Sequence, residues 1–167
     1  MPRSDHQKKR IQKIQKAFVD KLNMGEFTGH FSLEWTGPET FNYHPDANDP
    51  FQYIRNRGAG KTEVIEPGPM STDGGSIPLA VQVLTGRTPW EYGPAYLIHD
   101  WEFYRHDTDS GFRKSFKQVN LTLAESIWTL MNKGYLKYTK PGKSYSNVHT
   151  IYSGVMSPIA RAIWNAK

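Results

Sequence analysis

Cysteine is absent from this chain of 167 residues. That absence excludes disulfides, Cys-based zinc sites and a thiol nucleophile, and with them the small secreted disulfide scaffold. The chain suits a reducing compartment, or a particle that needs no disulfides. Long hydrophobic runs are also missing: nothing approaches the roughly 18 consecutive apolar residues of a membrane-spanning helix. No apolar segment follows the basic N-terminus, as a signal peptide would require. The expectation is a protein neither integral to a membrane nor secreted by a signal peptide. There is no internal repeat and no low-complexity tract.

Acidic residues are scarce in one place. Residues 1–22 carry seven of the 21 Lys and Arg against two Asp, and residues 23–167 hold fourteen of each sign. The net charge of +5 therefore belongs to one segment. A neutral body does not read as a nucleic-acid-binding domain, so no specific nucleic-acid binding is expected.

What is present is globular: 37% hydrophobic, 13% aromatic and 22% charged residues, in a length that suits one domain with a core of its own. Ser4 or Asp5 can cap a first helix, on which Ile11, Ile14, Phe18 and Leu22 recur at helical spacing until Gly25. Residues 1–25 thus form a basic amphipathic helical extension. Its basic face is either simply solvated or docks on an acidic partner, phosphates or a membrane surface. Residues 26–167 form a single α+β domain. Its first part is rich in Pro, Gly, Asn and Asp, with short strands over Phe31–Trp35, Phe51–Ile54 and Lys61–Glu66 and a loop over Pro38–Pro50. A small antiparallel sheet is expected there. The C-terminal half is helical: Pro78–Leu84, a helix opened by Pro94 and running to about Arg105, a long helix Phe112–Lys133 stopped by Gly134, and a last helix Ser157–Asn165 with Ile159, Ala162 and Ile163 as its apolar side. Segregated strands and helices make the fold class α+β.

Gly58-Ala59-Gly60-Lys61-Thr62 resembles the end of a phosphate-binding loop. The full pattern needs a further glycine where Arg55 stands, and a helix where a strand follows. A glycine-rich hairpin turn is the better reading.

Two compact blocks carry the chemistry. In Thr72-Asp73-Gly74-Gly75-Ser76-Ile77-Pro78, Asp73 can accept backbone N–H groups and Ser76 can cap a helix. Gly74 and Gly75 let the backbone approach a ligand or ion. In His99-Asp100-Trp101, His99 is the side chain suited to general-base work near neutral pH, and Asp100 can hold a hard cation such as Ca²⁺ through oxygen. A structural polar pair is the competing reading. A base histidine needs an orienting acceptor, and either Asn120 or Glu125 on the long helix can supply it. Ser76 as a nucleophile would need His99 within hydrogen-bond reach, and a helix cap is the simpler role. His106, Asp107 and Asp109 form a further possible metal cluster, although loop Asp residues more often cap turns.

The two blocks in tandem, with the lead-in Glu63-Val64-Ile65-Glu66-Pro67-Gly68, resemble a phage- and prophage-associated domain family of unknown function that carries T-D-x-x-S-x-P and H-D-W blocks. The resemblance spans residues 60–135. That family carries an Asp on the helix after the second block, and Glu125 stands at the matching place. A more distant similarity links His99-Asp100 to the His-Asp helix of phospholipase A2, without the disulfides of its secreted members. It implies His99 as the base that activates water, Asp100 and the Asp73–Ser76 loop as ligands of Ca²⁺ or another divalent cation, and Glu125 as the residue orienting His99.

The expected function is therefore a phage-encoded, virion-associated protein with a His-Asp hydrolase-type site, acting on a lipid or other ester. The alternative is a non-catalytic virion structural or connector protein in which the same residues form a buried polar network. A phage accessory factor that binds a host protein is a third reading. Expected partners are other virion proteins, reached through the basic N-terminal helix, with the virion or the host cytoplasm as location.

Overall fold

The computed structural model describes residues 3–38, 40–72, 92–135 and 144–166. Helix α1 spans Asp5–Val19, and the strands follow: β1 Glu26–Thr28, β2 Glu34–Gly37, β3 Thr40–Tyr43, β4 Gln52–Asn56, β5 Thr62–Ile65 and β6 Met70–Thr72. Helices α2 Gly93–Thr108, α3 Phe116–Asn132, α4 Ser144–Val155 and α5 Pro158–Asn165 complete the described chain. This is the α+β order expected: an N-terminal helix, antiparallel strands, then helices. The expected helix Pro78–Leu84 lies outside the described residues.

Helix α1 begins with a capping box, in which the Ser4 hydroxyl accepts from the Gln7 N–H and the Gln7 side chain accepts from the Ser4 N–H. Its opening turns are exposed, and burial begins only near its end, at Val19. There Phe18 meets Tyr152 of α4 at 4.7 Å between ring centroids.

Among the described residues the strands form two antiparallel three-stranded sheets, ordered β1-β4-β5 and β2-β3-β6. Strand β3 falls inside the loop expected over Pro38–Pro50. Its Thr40-Phe41-Asn42-Tyr43 run is short, and neighbouring Pro and Asp residues masked it; pairing with β2 and β6 on either side fixes it. The β4–β5 turn bears out the hairpin reading. Gly58, Ala59 and Gly60 all have positive φ, of 78°, 51° and 72°, and the Arg57 N–H donates to the Lys61 carbonyl at 2.9 Å.

Helix α2 is buried from Ala95 to Asp100, as befits an element packed on several sides, and Pro94 sits in its first turn where no amide donor is missed. Helix α3 starts at Phe116, capped by Ser115, so Phe112 lies in the preceding loop and outside the helix. Phe116, Val119, Leu123, Ile127 and Leu130 form its buried stripe. Helix α4 covers chain between Gly134 and Ser157 for which the sequence reading expects no element, and its Val148, Ile151 and Val155 enter the main core. Helix α5 turns opposite to expectation. Ile159 and Ile163 are 62% and 59% exposed, whereas Ala160 and Trp164 are buried. The aromatic decides the orientation: Trp164 packs on Phe103 and Phe116, and burying it removes more apolar surface than burying either isoleucine. No helix of the described residues is long and apolar enough to cross a membrane.

Candidate functional site

The second block lies within α2, where three successive side chains leave the helix about 100° apart. Each fastens to a different neighbour. His99 reaches α3, where its Nε2 lies 2.8 Å from Asn120 Oδ1. Asp100 reaches β6, and its Oδ2 accepts from the Thr72 hydroxyl at 2.5 Å. Trp101 lies over Gly68, where an added Cβ would come within 2.9 Å of the indole ring. The block is thus spread round the helix.

The Asn120 amide fixes the histidine tautomer. Its Nδ2 donates to the Val155 carbonyl at 3.3 Å and faces Met156 Sδ at 3.4 Å, so Oδ1 is the acceptor and His99 donates from Nε2–H. His99 is 1% exposed, and Phe103 covers its ring at 4.7 Å. Burial lowers its pKa, against the opposing pull of the Asp100 charge and the Asn120 bond. At neutral pH the ring is neutral.

Of the two acceptors available on the long helix, Asn120 holds His99. Glu125, which the phospholipase similarity assigns to that task, does not. Its carboxylate accepts from Arg55 Nε at 2.5 Å. Sequence position explains the pairing. Tyr53 and Arg55 are two apart on β4 and share one face; Glu125 and Thr129 are four apart on α3 and share one face. When β4 lies along α3, Tyr53 meets Thr129 at 3.3 Å and Arg55 meets Glu125. The Gly25 N–H also donates to Thr129 Oγ1, at 3.0 Å.

Of the first block, only Thr72 lies among the described residues. Asp73, Gly74, Gly75 and Ser76, including Asp73 as a cation ligand, lie outside them. Among the described residues no group of three or more His, Asp or Glu side chains is placed to hold a metal. The His106, Asp107 and Asp109 trio does not assemble as one: His106 stacks on Trp164 at 3.5 Å, while Asp109 binds Arg105 at 2.6 Å and caps the Gly111 N–H at 2.8 Å. Among the described residues, Asp100 with Thr72 supplies one carboxylate of the larger oxygen set Ca²⁺ takes.

The sequence reading missed an ionic network that extends from Glu125. Arg55, 8% exposed, also reaches Glu63 at 3.4 Å. Lys114 bridges Glu63, at 2.5 Å, and Glu102. Glu102 is 2% exposed, and its Oε2 has no hydrogen-bond partner among the described residues. Burial pushes its carboxyl up to about 7, with Lys114 pulling the other way. Burial likewise raises Glu125, against Arg55. The network opens on a cavity of about 340 Å³ between the β4–β5 hairpin and the α2–α3 loop. A signal existed: an arginine in phase with Phe51 and Tyr53 on an alternating strand must find an acid once buried.

Compared with protein-family models, with curated proteins and with solved structures, the chain has no significant match.

Proposed function

We propose that the chain is a non-catalytic component of a phage particle, structural or connecting, in which His99-Asp100-Trp101 fastens helix α2 to its neighbours. The observation that carries this reading is the closed His99–Asn120 contact, 2.8 Å long on a ring 1% exposed. A general base needs its free nitrogen within reach of substrate or water. The phage setting rests on the resemblance of the two blocks. The exposed lysines of α1, Lys8, Lys9, Lys13 and Lys16, fit the docking of that helix on an acidic face of a neighbouring particle protein.

One observation favours a second reading, a His-Asp hydrolase. Thr72, the first residue of the first block, bonds Asp100 of the second, so the blocks meet as a composite site would require.

The test takes the purified chain with nitrophenyl esters and phosphatidylcholine vesicles, with and without Ca²⁺, alongside His99→Gln, and assays purified particles of the encoding phage for the chain. The reading expects no turnover by either protein, a lower unfolding temperature for His99→Gln, and the chain present in the particles. Ester or lipid turnover that His99→Gln abolishes at unchanged fold would establish the hydrolase instead. Absence from the particles would remove the virion assignment.

A further inference from the structure

The cavity beside the ionic network has a chemistry of its own. Its floor is Arg55, Glu63 and Lys114, and its rim carries Arg57, Arg105 and Arg113. The floor cations are matched by Glu125, Glu63 and Glu102, and Arg105 by Asp109. Arg57 and Arg113 form no ion pair with any described residue. Arg113 spends Nη1 on the carbonyls of Ser110 and Phe112, at 2.6 and 3.2 Å, which steadies the guanidinium without neutralising it. Phe112 adds an aromatic wall.

Two unmatched guanidiniums on one concavity call for an anion. A guanidinium presents its donors as a planar fork that fits phosphate and carboxylate oxygens two at a time. A monocarboxylate would leave one of the two charges unmet, whereas a phosphate monoester or a pyrophosphate, carrying two charges or more, meets both. The volume lies in the range of small-molecule sites and leaves room for an organic body against Phe112. The feature is concave, and residues 23–167 taken together carry no net charge, which favours a compact ligand over a nucleic-acid backbone.

We propose that this cavity binds a small phosphorylated ligand, with its phosphate held by Arg57 and Arg113 above the Arg55 and Lys114 floor. The site shares no lining residue with the His99 and Asp100 contacts, so it stands whether or not those are catalytic. It also owes nothing to the Gly58–Lys61 turn as a phosphate loop, since that turn joins two strands.

Calorimetric titration at low salt, with pyrophosphate and with ATP as probes, tests it on the wild type, on Arg57→Ala/Arg113→Ala and on Lys9→Ala/Lys13→Ala. All four residues are exposed, and circular dichroism checks that each variant is folded. Saturable one-to-one binding is expected, weakened about tenfold or more by Arg57→Ala/Arg113→Ala and left unchanged by Lys9→Ala/Lys13→Ala. Tighter binding of ATP than of pyrophosphate would assign a role to the Phe112 wall; equal binding would restrict the site to the phosphates. The proposal is overturned by no saturable binding at millimolar probe, by wild-type binding in the Arg57→Ala/Arg113→Ala variant, by loss in the Lys9→Ala/Lys13→Ala variant, or by a short oligonucleotide that displaces both probes at lower concentration.

Discussion

His99 and Asn120, 21 residues apart, meet through Nε2 and Oδ1 at 2.8 Å in the space between α2, α3 and the end of α4. Each leaves the other with a partner it would otherwise lack in the core. Removing either one strands a buried polar group.

His99→Ala combines a lost ring with an orphaned amide oxygen, and we expect a destabilisation of about 2–4 kcal/mol. Asn120→Ala is expected to cost about 1–3 kcal/mol for the stranded imidazole. Because the two act on one contact, the double variant should cost less than the two single effects together. Urea unfolding of all four proteins measures this. Strict additivity would mean that the contact holds nothing.

Arg55 and Glu125 invite the same treatment with larger numbers. Arg55→Ala leaves Glu125 buried without its ion-pair partner, and a loss of about 3–5 kcal/mol is expected. Arg55→Met with Glu125→Leu removes both charges and keeps the volume, so it should recover much of that loss. Equilibrium unfolding decides it: a double variant as unstable as Arg55→Ala would show that the pair itself, and not the orphaned charge, carries the stability.

Glu102 predicts a pH dependence. Its carboxyl is raised from an ordinary 4.5 to about 7, so between those values the folded chain holds a proton that the unfolded chain has released. Stability from this group therefore falls as pH rises through that window, by up to about 3 kcal/mol, and the penalty is complete above it. His99 acts in the opposite sense. Its lowered pKa means that the unfolded chain takes up the proton first, so stability falls as pH drops below about 6.5. Glu102→Gln should gain stability relative to wild type as pH rises from about 5 to about 8. Melting curves across that range test it, and a constant difference between the two proteins would contradict the assignment.

Two glycines separate steric cost by what stands in the way. An added Cβ at Gly25 would lie 2.4 Å from the Ile54 carbonyl oxygen, which the β1–β4 pairing holds in place. At Gly68 it would lie 2.9 Å from the edge of the Trp101 ring, which is partly exposed and can tilt. Gly25→Ala should thus cost more than Gly68→Ala, with both in the range of about 1–3 kcal/mol or above. Thermal unfolding of the two variants gives the order.

The helices were legible where an amphipathic stripe and a cap coincide, as at Ser4 and along Val119, Leu123 and Ile127. They were misjudged where one large aromatic outweighed the periodic aliphatics, as in α5, where Trp164 set the buried face. Strand β3 was hidden because four residues carry little pattern, and its existence depends on partners at both sides. At the site, the sequence marked His99, Asp100, Asn120 and Glu125 as polar groups in apolar surroundings. It could not mark which of them pair, because that is set by how β4 and β6 lie against the helices. From the sequence, Arg55 is only the residue that breaks the phosphate-loop pattern and Lys114 is part of the expected helix Phe112–Lys133; the packed fold makes them the centre of a charge network.

The state of His99 tests the central account most directly. Nitrogen-resolved NMR of the histidine rings, from about pH 5 to about pH 8, reports protonation and tautomer residue by residue. A structural His99 holds its neutral form to a pH below its ordinary value, protonated on Nε2 and bare on Nδ1. A His99 that titrates near its ordinary value of about 6.5, or carries its neutral proton on Nδ1, would contradict the closed contact with Asn120 and return the ring to the role of a base.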